Sequence, residues 1–255
     1  MSNAIHDAIF EGDIDRVRAI LNSGINIETK NGDGDTPFLT CCTYRPLPEV
    51  INLLIDYGAD INARNMKGET SLSIAVNKKK GALIDILLKN KAEINVVSDD
   101  GETPLFRAIY KSQLELAKEL LGRGADPTLN PSDPKNGTAL LWAAGSGDLE
   151  LVKMLVNYGA DINSPGVLHS AIKHIHIVKY LINEGVDLNN KGAWGSTALH
   201  MAAYKCEKDI VELLINNGAD VGVKDDNDGQ TPGEWALEGE CKCEIIRELL
   251  NKKIS

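Results

Sequence analysis

The chain has 255 residues, of which 43% are hydrophobic and 25% are charged, and its formal net charge is −10 at pH 7. This composition supports a folded core, whereas the negative charge repels phosphate backbones and anionic lipid headgroups, so we expect neither nucleic acid nor a membrane as partner. No apolar run approaches the roughly 18 residues needed to span a bilayer, and residues 1–7 lack the features of a signal peptide. The sequence therefore predicts a cytoplasmic protein, and its five cysteines, two of them adjacent, predict reduced thiols.

Near copies of the triplet Gly-Ala-Asp recur at an almost constant interval. They begin at Gly24, Gly58, Lys91, Gly124, Gly159, Gly185 and Gly218, and successive copies are 34, 33, 33, 35, 26 and 33 residues apart. A Thr-Pro-Leu sequence or a variant of it begins the following segment at Thr36, Thr70, Thr103, Thr138, Thr197 and Thr231. A period near 33 residues with this helix start resembles the ankyrin repeat, in which a turn is followed by two helices.

Each part of the repeat has a physical reason. The threonine side chain caps free N–H groups of the first helix, and proline fits the first helical position, where no N–H is needed. Small residues follow because neighbouring first helices pack closely. Aliphatic residues at three- and four-residue steps in the second helix form the core, and glycine ends that helix in the left-handed conformation. The small pairs include Cys41-Cys42, Ala143-Ala144 and Ala202-Ala203.

The sequence predicts an all-α ankyrin repeat solenoid of about eight helix-turn-helix units with short β-turn fingers, forming a single domain over residues 1–255. We expect the two terminal units to be caps with a polar outer face and no further domain to be present. A proline-rich insertion, Asn130 to Asn136, precedes the helices of the fifth unit, and the sixth unit is seven residues short, which leaves open a bend or a shift of register. The predicted units are 1–30, 31–64, 65–97, 98–129, 130–164, 165–191, 192–224 and 225–255.

The resemblance implies that a protein partner lies in the concave groove, against the finger tips before each threonine and the exposed end of each first helix. The finger tips are mainly acidic, which favours a partner with a basic patch, and tyrosine and lysine are concentrated at the helix ends. For any single finger acid, the competing interpretation is that it only forms the turn. The residues predicted to bind the partner are Tyr44, Asn77, Lys78, Tyr110, Lys111, Trp194, Tyr204 and Lys205, together with the finger acids Asp33, Asp35, Glu69, Asp99, Asp100 and Glu102.

No catalytic, cofactor-binding or metal-binding residue is predicted. His6, His169 and His200 take the fourth position of the Thr-Pro-Leu-His motif, where the resemblance implies hydrogen bonding within the turns. Five further side chains fall in the turns of the sixth, seventh and eighth units and raise the alternative of a zinc site: His174, His176, Cys206, Cys241 and Cys243. The pair Cys241-Lys242-Cys243 is shorter than the usual zinc spacing, so exposed thiols without a role are the prediction.

The predicted function is a non-catalytic, monomeric protein-protein interaction module. We favour an inhibitor or immunity protein that blocks a toxin or enzyme by occlusion, with a host-directed effector or an assembly adaptor as the alternative. A metal-dependent enzyme is the least supported alternative, since only the His and Cys turns speak for it. The frequent Ile, Asn and Lys within the repeats resemble bacterial ankyrin repeat proteins.

Overall fold

The computed structural model describes residues 3–99, 101–129, 137–239 and 244–251. Within these ranges the chain forms sixteen α-helices and no β-strand, which confirms the predicted all-α repeat fold. None of the described helices combines the length and the apolar character that crossing a membrane requires. The chain divides into two compact halves, Met1–Asp133 and Pro134–Ser255.

The N-terminal half contains four helix pairs, one in each of the first four predicted units. They are α1 (Ala4–Glu11), α2 (Ile14–Asn22), α3 (Pro37–Tyr44), α4 (Pro48–Asp56), α5 (Ser71–Asn77), α6 (Gly81–Lys89), α7 (Pro104–Tyr110) and α8 (Leu114–Gly122). The first helices of successive repeats pack on one another, from α1 through α3 and α5 to α7. The C-terminal ends of successive first helices therefore lie next to one another within this half.

The C-terminal half contains the other four pairs. They are α9 (Ala139–Ser146), α10 (Leu149–Asn157), α11 (Val167–Ser170), α12 (Ile175–Asn183), α13 (Ala198–Tyr204), α14 (Lys208–Asn216), α15 (Pro232–Glu238) and α16 (Glu244–Asn251). Here too the first helices pack in sequence, from α9 through α11 and α13 to α15. The predicted insertion at Asn130 to Asn136 lies outside the described residues.

Threonine begins the first helix of the regular repeats, as the sequence predicts. At α7, the Phe106 N–H donates to Thr103 Oγ1 over 3.1 Å, and Pro104 takes the first helical position. At α15, the Thr231 N–H donates to the Glu234 carboxylate over 2.7 Å, which completes a capping box with the Thr231 hydroxyl. Thr36, Thr70, Thr138 and Thr197 cap their helices in the same way. The helix starts are therefore fixed by local chemistry.

Small side chains fill the contacts between neighbouring first helices. Cys41, Cys42, Ala143, Ala144, Ala202 and Ala203 are all fully buried. Larger residues such as Phe38, Leu54, Leu87 and Phe106 occupy the space around them and are equally buried. The core is thus continuous within each half and is made mainly of aliphatic groups.

The loops that end successive repeats are joined by hydrogen bonds from a backbone N–H to a side-chain oxygen of the preceding loop. In the N-terminal half, the Glu93 N–H donates to Asn62 and the Asp126 N–H donates to Asn95, each over 2.8 Å. In the C-terminal half, Asp187 and Asp220 donate in the same way to Asn163 and Asn189, again over 2.8 Å. These bonds fix the register of each loop on its neighbour.

The shortened sixth repeat remains packed on both neighbours. Its first helix, α11, has only four residues and continues into a 3₁₀ turn at Ala171–Lys173. Even so, α11 contacts α9 and α13, and α12 contacts α10 and α14. Val167 lies eight residues after Gly159, whereas Ala198 lies thirteen after Gly185, so five of the seven missing residues come from the loop before the first helix. The packing of the repeat on its neighbours is retained.

The cysteines differ from the prediction at one position. Cys206 is disulfide-bonded, so the prediction of reduced thiols without a role is wrong there, because folding brings a second thiol to it that sequence spacing does not reveal. Cys241 and Cys243 lie outside the described residues. Cys41 and Cys42 are free and buried, and burial raises the pKa of the Cys41 thiol to about 12 and that of Cys42 well above its usual value. Both buried thiols are therefore protonated and unreactive at neutral pH.

Candidate functional site

Tyr44 lies at the C-terminal end of α3 with 49% of its surface exposed. The Phe10 ring meets it edge to face at 5.8 Å between centroids, and the Lys78 Nζ lies 5.7 Å from the centre of the Tyr44 ring. Lys78 also donates a hydrogen bond to the Thr43 carbonyl over 2.7 Å. The ring is therefore held in place although about half of it faces solvent.

Tyr110 is the last residue of α7, seven residues after Thr103, whereas Tyr44 lies eight residues after Thr36, and Tyr110 is 52% exposed. Its ring stacks on the buried Phe106 ring with 6.1 Å between centroids and 16° between planes. Tyr110 is thus anchored to the core through Phe106, while about half of its surface is exposed. We call Tyr44, Lys78 and Tyr110 the groove face of the N-terminal half.

Trp194 is the most exposed aromatic residue at a finger of the C-terminal half, with 68% of its surface accessible. It lies in the turn Ala193–Gly195 with a left-handed φ of 56°, and its carbonyl accepts a hydrogen bond from the Asp226 N–H over 2.9 Å. A non-glycine residue in this conformation is uncommon and is kept only where its surroundings hold it. The next finger therefore fixes the backbone that presents the indole.

Tyr204 is more enclosed than its counterparts. Its ring packs edge to face on Trp235 of the next repeat, 6.0 Å between centroids, and the Lys205 Nζ lies 5.5 Å from the Tyr204 ring. Trp235, which sequence reasoning did not select, donates from Nε1 to the buried Asp225 carboxylate over 2.7 Å. Trp194, Tyr204 and Lys205 form the groove face of the C-terminal half.

Two of the predicted finger acids are paired within the chain. Arg107 Nη2 lies 2.8 Å from the Glu102 carboxylate, and Arg107 Nη1 lies 3.6 Å from the Glu69 carboxylate. All three side chains are largely buried, at 12% to 21% exposure. Arg107 on α7 therefore neutralises part of the charge of Glu69 and Glu102, and their part in partner binding stays a prediction. The position of Arg107, five residues after Glu102, is the sequence signal that could have revealed this.

The acids on the two sides of Gly34 lie in different environments. Asp33 is exposed, whereas Asp35 is only 3% exposed. Both line a cavity of about 370 Å³ in the N-terminal half. Burial raises the pKa of the Asp35 carboxyl, the charges of Asp33 and Glu69 raise it further, and a hydrogen bond from Asn65 opposes them. Asp35 is therefore not the exposed finger acid that its sequence position suggests.

The raised pKa of the Asp35 carboxyl leads to a testable prediction about the stability of the fold. Because its pKa is higher in the folded chain than in the unfolded one, ionisation at neutral pH disfavours folding, and this penalty is relieved as the pH falls towards the ordinary aspartate value. We expect Asp35→Asn to raise the melting temperature at pH 7 and to bring a smaller gain near pH 4, about the ordinary pKa of aspartate. Calorimetry at the two pH values checks this, and a variant less stable at pH 7 would contradict it.

The remaining predicted residues have simpler surroundings. Asn77 lines the same cavity as Asp35 and is half-buried, and Lys111 is exposed after α7. Asp99 is exposed beside Gly68, where an added Cβ would lie 2.3 Å from its carboxylate. Asp100 lies outside the described residues. These positions stay predictions for partner binding.

The three motif histidines hold turns together, as the resemblance implies. His6 Nε2 donates to the Thr29 carbonyl over 3.0 Å, His169 Nε2 to Ser196 over 2.9 Å, and His200 Nε2 to Gln230 over 3.0 Å. Burial lowers the pKa of His169 and His200, which keeps both rings neutral at pH 7. Their geometry matches a structural role.

His174 and His176 also contact other parts of the chain through their imidazole rings. Each lies close to a backbone carbonyl of the preceding repeat, His174 Nε2 at 3.2 Å from Gly145 and His176 Nε2 at 3.1 Å from Gly147. Across the part of the chain that the structure describes, no three His, Cys, Asp or Glu side chains converge on one point. Both imidazoles therefore join neighbouring repeats.

The comparison with known families agrees with this geometry. A family model described as ankyrin repeats in three copies matches residues 5–98, 45–131, 72–166 and 168–255. The chain therefore belongs to the ankyrin repeat family. Ankyrin repeats are generally protein-protein interaction modules, and the family is typically non-catalytic.

Individual relatives share the repeats within longer proteins. The B-cell lymphoma 3 protein homolog of Mus musculus is 31% identical over 229 residues, which cover 86% of this chain and 45% of that protein. The E3 ubiquitin-protein ligase KEG of Arabidopsis thaliana is 26% identical over 267 residues, covering 86% of this chain and 15% of that protein. The putative ankyrin repeat protein FPV031 of Fowlpox virus is 27% identical over 140 residues, covering 55% and 33%. The chain thus spans less than half the length of each of these relatives.

Proposed function

We propose that this chain is a non-catalytic, monomeric module of the cytoplasm that binds a protein partner through its groove faces. The observation that carries the proposal is the pair Tyr44 and Tyr110, each of which is the last residue of a first helix and is about half exposed. Both rings rest on another aromatic side chain, Phe10 in one case and Phe106 in the other. The rings are therefore ordered before any partner arrives.

Preordered tyrosines suit a binding surface for energetic reasons. A tyrosine ring offers a large contact area and a polar hydroxyl, and little rotamer entropy remains to be lost when its neighbours already hold it. Residues of this type often carry most of the binding energy at protein interfaces. In the C-terminal half, Trp194 supplies a further exposed aromatic surface, and Lys205 lies against the Tyr204 ring.

The charge of the chain points to the chemistry of the partner. The net charge is −10, and of the finger acids Asp33 and Asp99 are exposed, whereas Glu69 and Glu102 are paired with Arg107. An acidic surface attracts and orients a partner that carries a basic patch. We further propose that the bound protein is an enzyme or toxin inhibited by occlusion, which predicts that the purified chain lowers its activity in proportion to the complex formed.

The test is affinity capture from the native source with the wild-type chain and a Tyr44→Ala, Tyr110→Ala double variant. We expect the double variant to bind the captured protein at least about 30-fold more weakly, the equivalent of one hot-spot loss of about 2 kcal/mol. The affinity of the purified pair is measured by titration calorimetry, and circular dichroism checks that the variant is folded.

A matched control uses two other exposed tyrosines. Tyr57 and Tyr158 follow the second helices α4 and α10 and are 40% and 47% exposed. A Tyr57→Ala, Tyr158→Ala variant removes the same two rings away from the groove faces and should bind within about twofold of wild type. Equal binding by all three chains would remove the groove face of the N-terminal half from the interface.

A further inference from the structure

Basic residues are concentrated in the turns that join the two helices of the second, third and fourth repeats. These turns are residues 45–47, 78–80 and 111–113, and they contain no acidic residue although the chain carries a net charge of −10. Because α3, α5 and α7 pack on one another in this order, the turns follow each other along one edge of the N-terminal half. We call it the basic turn edge, and its five cations are Arg45, Lys78, Lys79, Lys80 and Lys111.

The charge of the basic turn edge is not neutralised within the part of the chain that the structure describes. None of its five cations forms an ion pair there with a carboxylate. Two acids on adjoining helices, Glu11 and Glu115, are paired instead with Arg16 and Lys118. Four of the cations are exposed and Lys80 is half-buried. Their positive charge is therefore open to an anion from outside the chain.

The ammonium groups of Lys78 and Lys80 converge on one carbonyl oxygen. Lys78 Nζ donates to the Thr43 carbonyl over 2.7 Å, and Lys80 Nζ lies 3.5 Å from the same oxygen. Burial lowers the pKa of Lys80, and the charge of Lys78 lowers it further. In the next repeat an uncharged group, Gln113 Nε2, donates to the Val76 carbonyl over 3.1 Å. Contact with a helix-end carbonyl therefore does not require a cation, whereas two adjacent ammonium groups suit an anion that bridges them.

Lys80 also occupies a position at which local chemistry favours an acid. It is the N-cap of α6 and its side chain makes no cap hydrogen bond, whereas Asp13 and Asp148 cap α2 and α10 at the corresponding position. Aspartate and asparagine are preferred N-caps, and a cation there faces the positive end of the helix dipole. The turn thus carries a positive charge at a place that disfavours it for the start of α6. Such departures from local preference are expected at binding sites.

We propose that the basic turn edge binds an extended acidic segment of the protein partner, an inference that rests on the proposed function. Packed neighbouring helices lie roughly 8–10 Å apart and an extended chain rises about 3.3 Å per residue, so carboxylates three residues apart match successive turns. The acidic character of the chain as a whole repels nucleic acids and anionic membranes, which disfavours both as the source of the anion.

The basic turn edge lies opposite the acidic fingers. The exposed finger acids Asp33 and Asp99 precede the first helices α3 and α7, whereas the basic turns follow the same helices. The two ends of these helices therefore carry opposite charge. A partner with a basic patch for the fingers and an acidic segment for the turns is bound in one orientation, since the reverse orientation would bring like charges together.

The first test uses three probes on the full chain: a seven-residue peptide with glutamate as its first, fourth and seventh residues, the same peptide with glutamine at these positions, and a single-stranded DNA of seven nucleotides. Nitrogen-15 NMR titration follows the amides of Lys79, Lys80 and Lys111. We expect saturable shifts with the glutamate peptide and at least about tenfold weaker binding of the uncharged glutamine peptide. Equal binding of the glutamine peptide would overturn charge recognition, and tighter binding of the DNA would overturn the choice of a protein segment.

A Lys79→Gly, Lys80→Asn variant locates the binding. Lys79 has a left-handed φ of 55°, which glycine adopts freely, and asparagine is a preferred N-cap, so the variant should melt no lower than wild type. We expect it to bind the glutamate peptide at least about tenfold more weakly, because two of the five cations are lost.

The matched control is Lys89→Asn, Lys91→Gly. It removes the same charge from two exposed lysines at the other end of α6, and Lys91 is also left-handed, with a φ of 64°. This variant should change the affinity for the glutamate peptide less than about twofold, since neither lysine belongs to the basic turn edge. Equal effects of the two double variants would overturn the site.

The captured partner separates this proposal from the groove-face proposal. If the partner needs Tyr44 and Tyr110 but binds the Lys79→Gly, Lys80→Asn variant as tightly as wild type, the acidic-segment proposal fails and the groove-face proposal survives. If the partner loses affinity for the lysine variant and keeps it for the tyrosine variant, the basic turn edge is supported and the groove face of the N-terminal half is removed from the interface.

Discussion

Replacing Phe106 with alanine is expected to lower the free energy of unfolding by about 3–5 kcal/mol. The ring is 1% exposed and lies on α7, which packs against α5 and α8. Its loss removes apolar contacts and leaves a cavity that close-packed helices fill only in part. Urea denaturation followed by circular dichroism measures the change. The Tyr110 ring also loses the surface on which it stacks, so partner binding should weaken in the same variant.

Phe10→Ala is the matched control for this core substitution. Phe10 is 63% exposed at the end of α1 and touches Tyr44 edge to face. We expect a loss of less than about 1 kcal/mol, because most of its ring surface is already in water. Similar losses for the two variants would show that the Phe106 site relaxes to fill the space, contrary to the close packing described here.

Gly239→Ala is expected to lower the free energy of unfolding by about 1–3 kcal/mol, the usual range for an overpacked site. Gly239 follows α15 with an ordinary φ of −70°, so the backbone conformation itself suits alanine. The added Cβ would lie 2.2 Å from the carbonyl oxygen of Tyr204 and 2.7 Å from its Cα. Since both are backbone atoms, the conflict is relieved only if α13 and α15 move apart.

The same substitution at Gly145 should change the free energy of unfolding in the opposite direction. Gly145 lies within α9, and an added Cβ would lie 3.7 Å from the Cβ of Ser170, an ordinary contact. Alanine in a helix is favoured over glycine by roughly 0.5–1 kcal/mol, so Gly145→Ala should raise the free energy of unfolding by that amount. Urea melts of the two variants side by side check the pair, and a stabilised Gly239→Ala would contradict the close approach of α15 to Tyr204.

The helix starts and the core could be predicted from the sequence because local chemistry determines them. Thr103 and Pro104 specify the residue at which α7 begins. The spacing of aliphatic residues determines which side of each second helix is buried. The short sixth repeat could be found by counting the residues between successive Gly-Ala-Asp triplets. The sequence could not show that this repeat still packs on both of its neighbours. That result depends on contacts of α11 and α12 with both neighbouring repeats.

The candidate site was only partly predictable, because side-chain pairing crosses repeats. Tyr44 and Tyr110 are exposed at the predicted positions. The sequence does not show that Asp35 turns inwards while Asp33 faces solvent, since both belong to one turn. Nor does a periodic pattern reveal that Trp235 packs on Tyr204 of the preceding repeat. Such partners depend on the three-dimensional stacking of unlike residues at equivalent positions.

The hydrogen bonds between successive loops have a consequence for how such a chain evolves. The third repeat offers the N–H of Glu93 to the repeat before it and the oxygen of Asn95 to the repeat after it. The sixth repeat, although seven residues shorter, offers the same two groups through Asp187 and Asn189. These two repeats thus carry matching connectors at both sides. A gene that gains, loses or exchanges a repeat with these two groups still encodes compatible joints, so the number of such repeats can change independently of the residues that choose a partner.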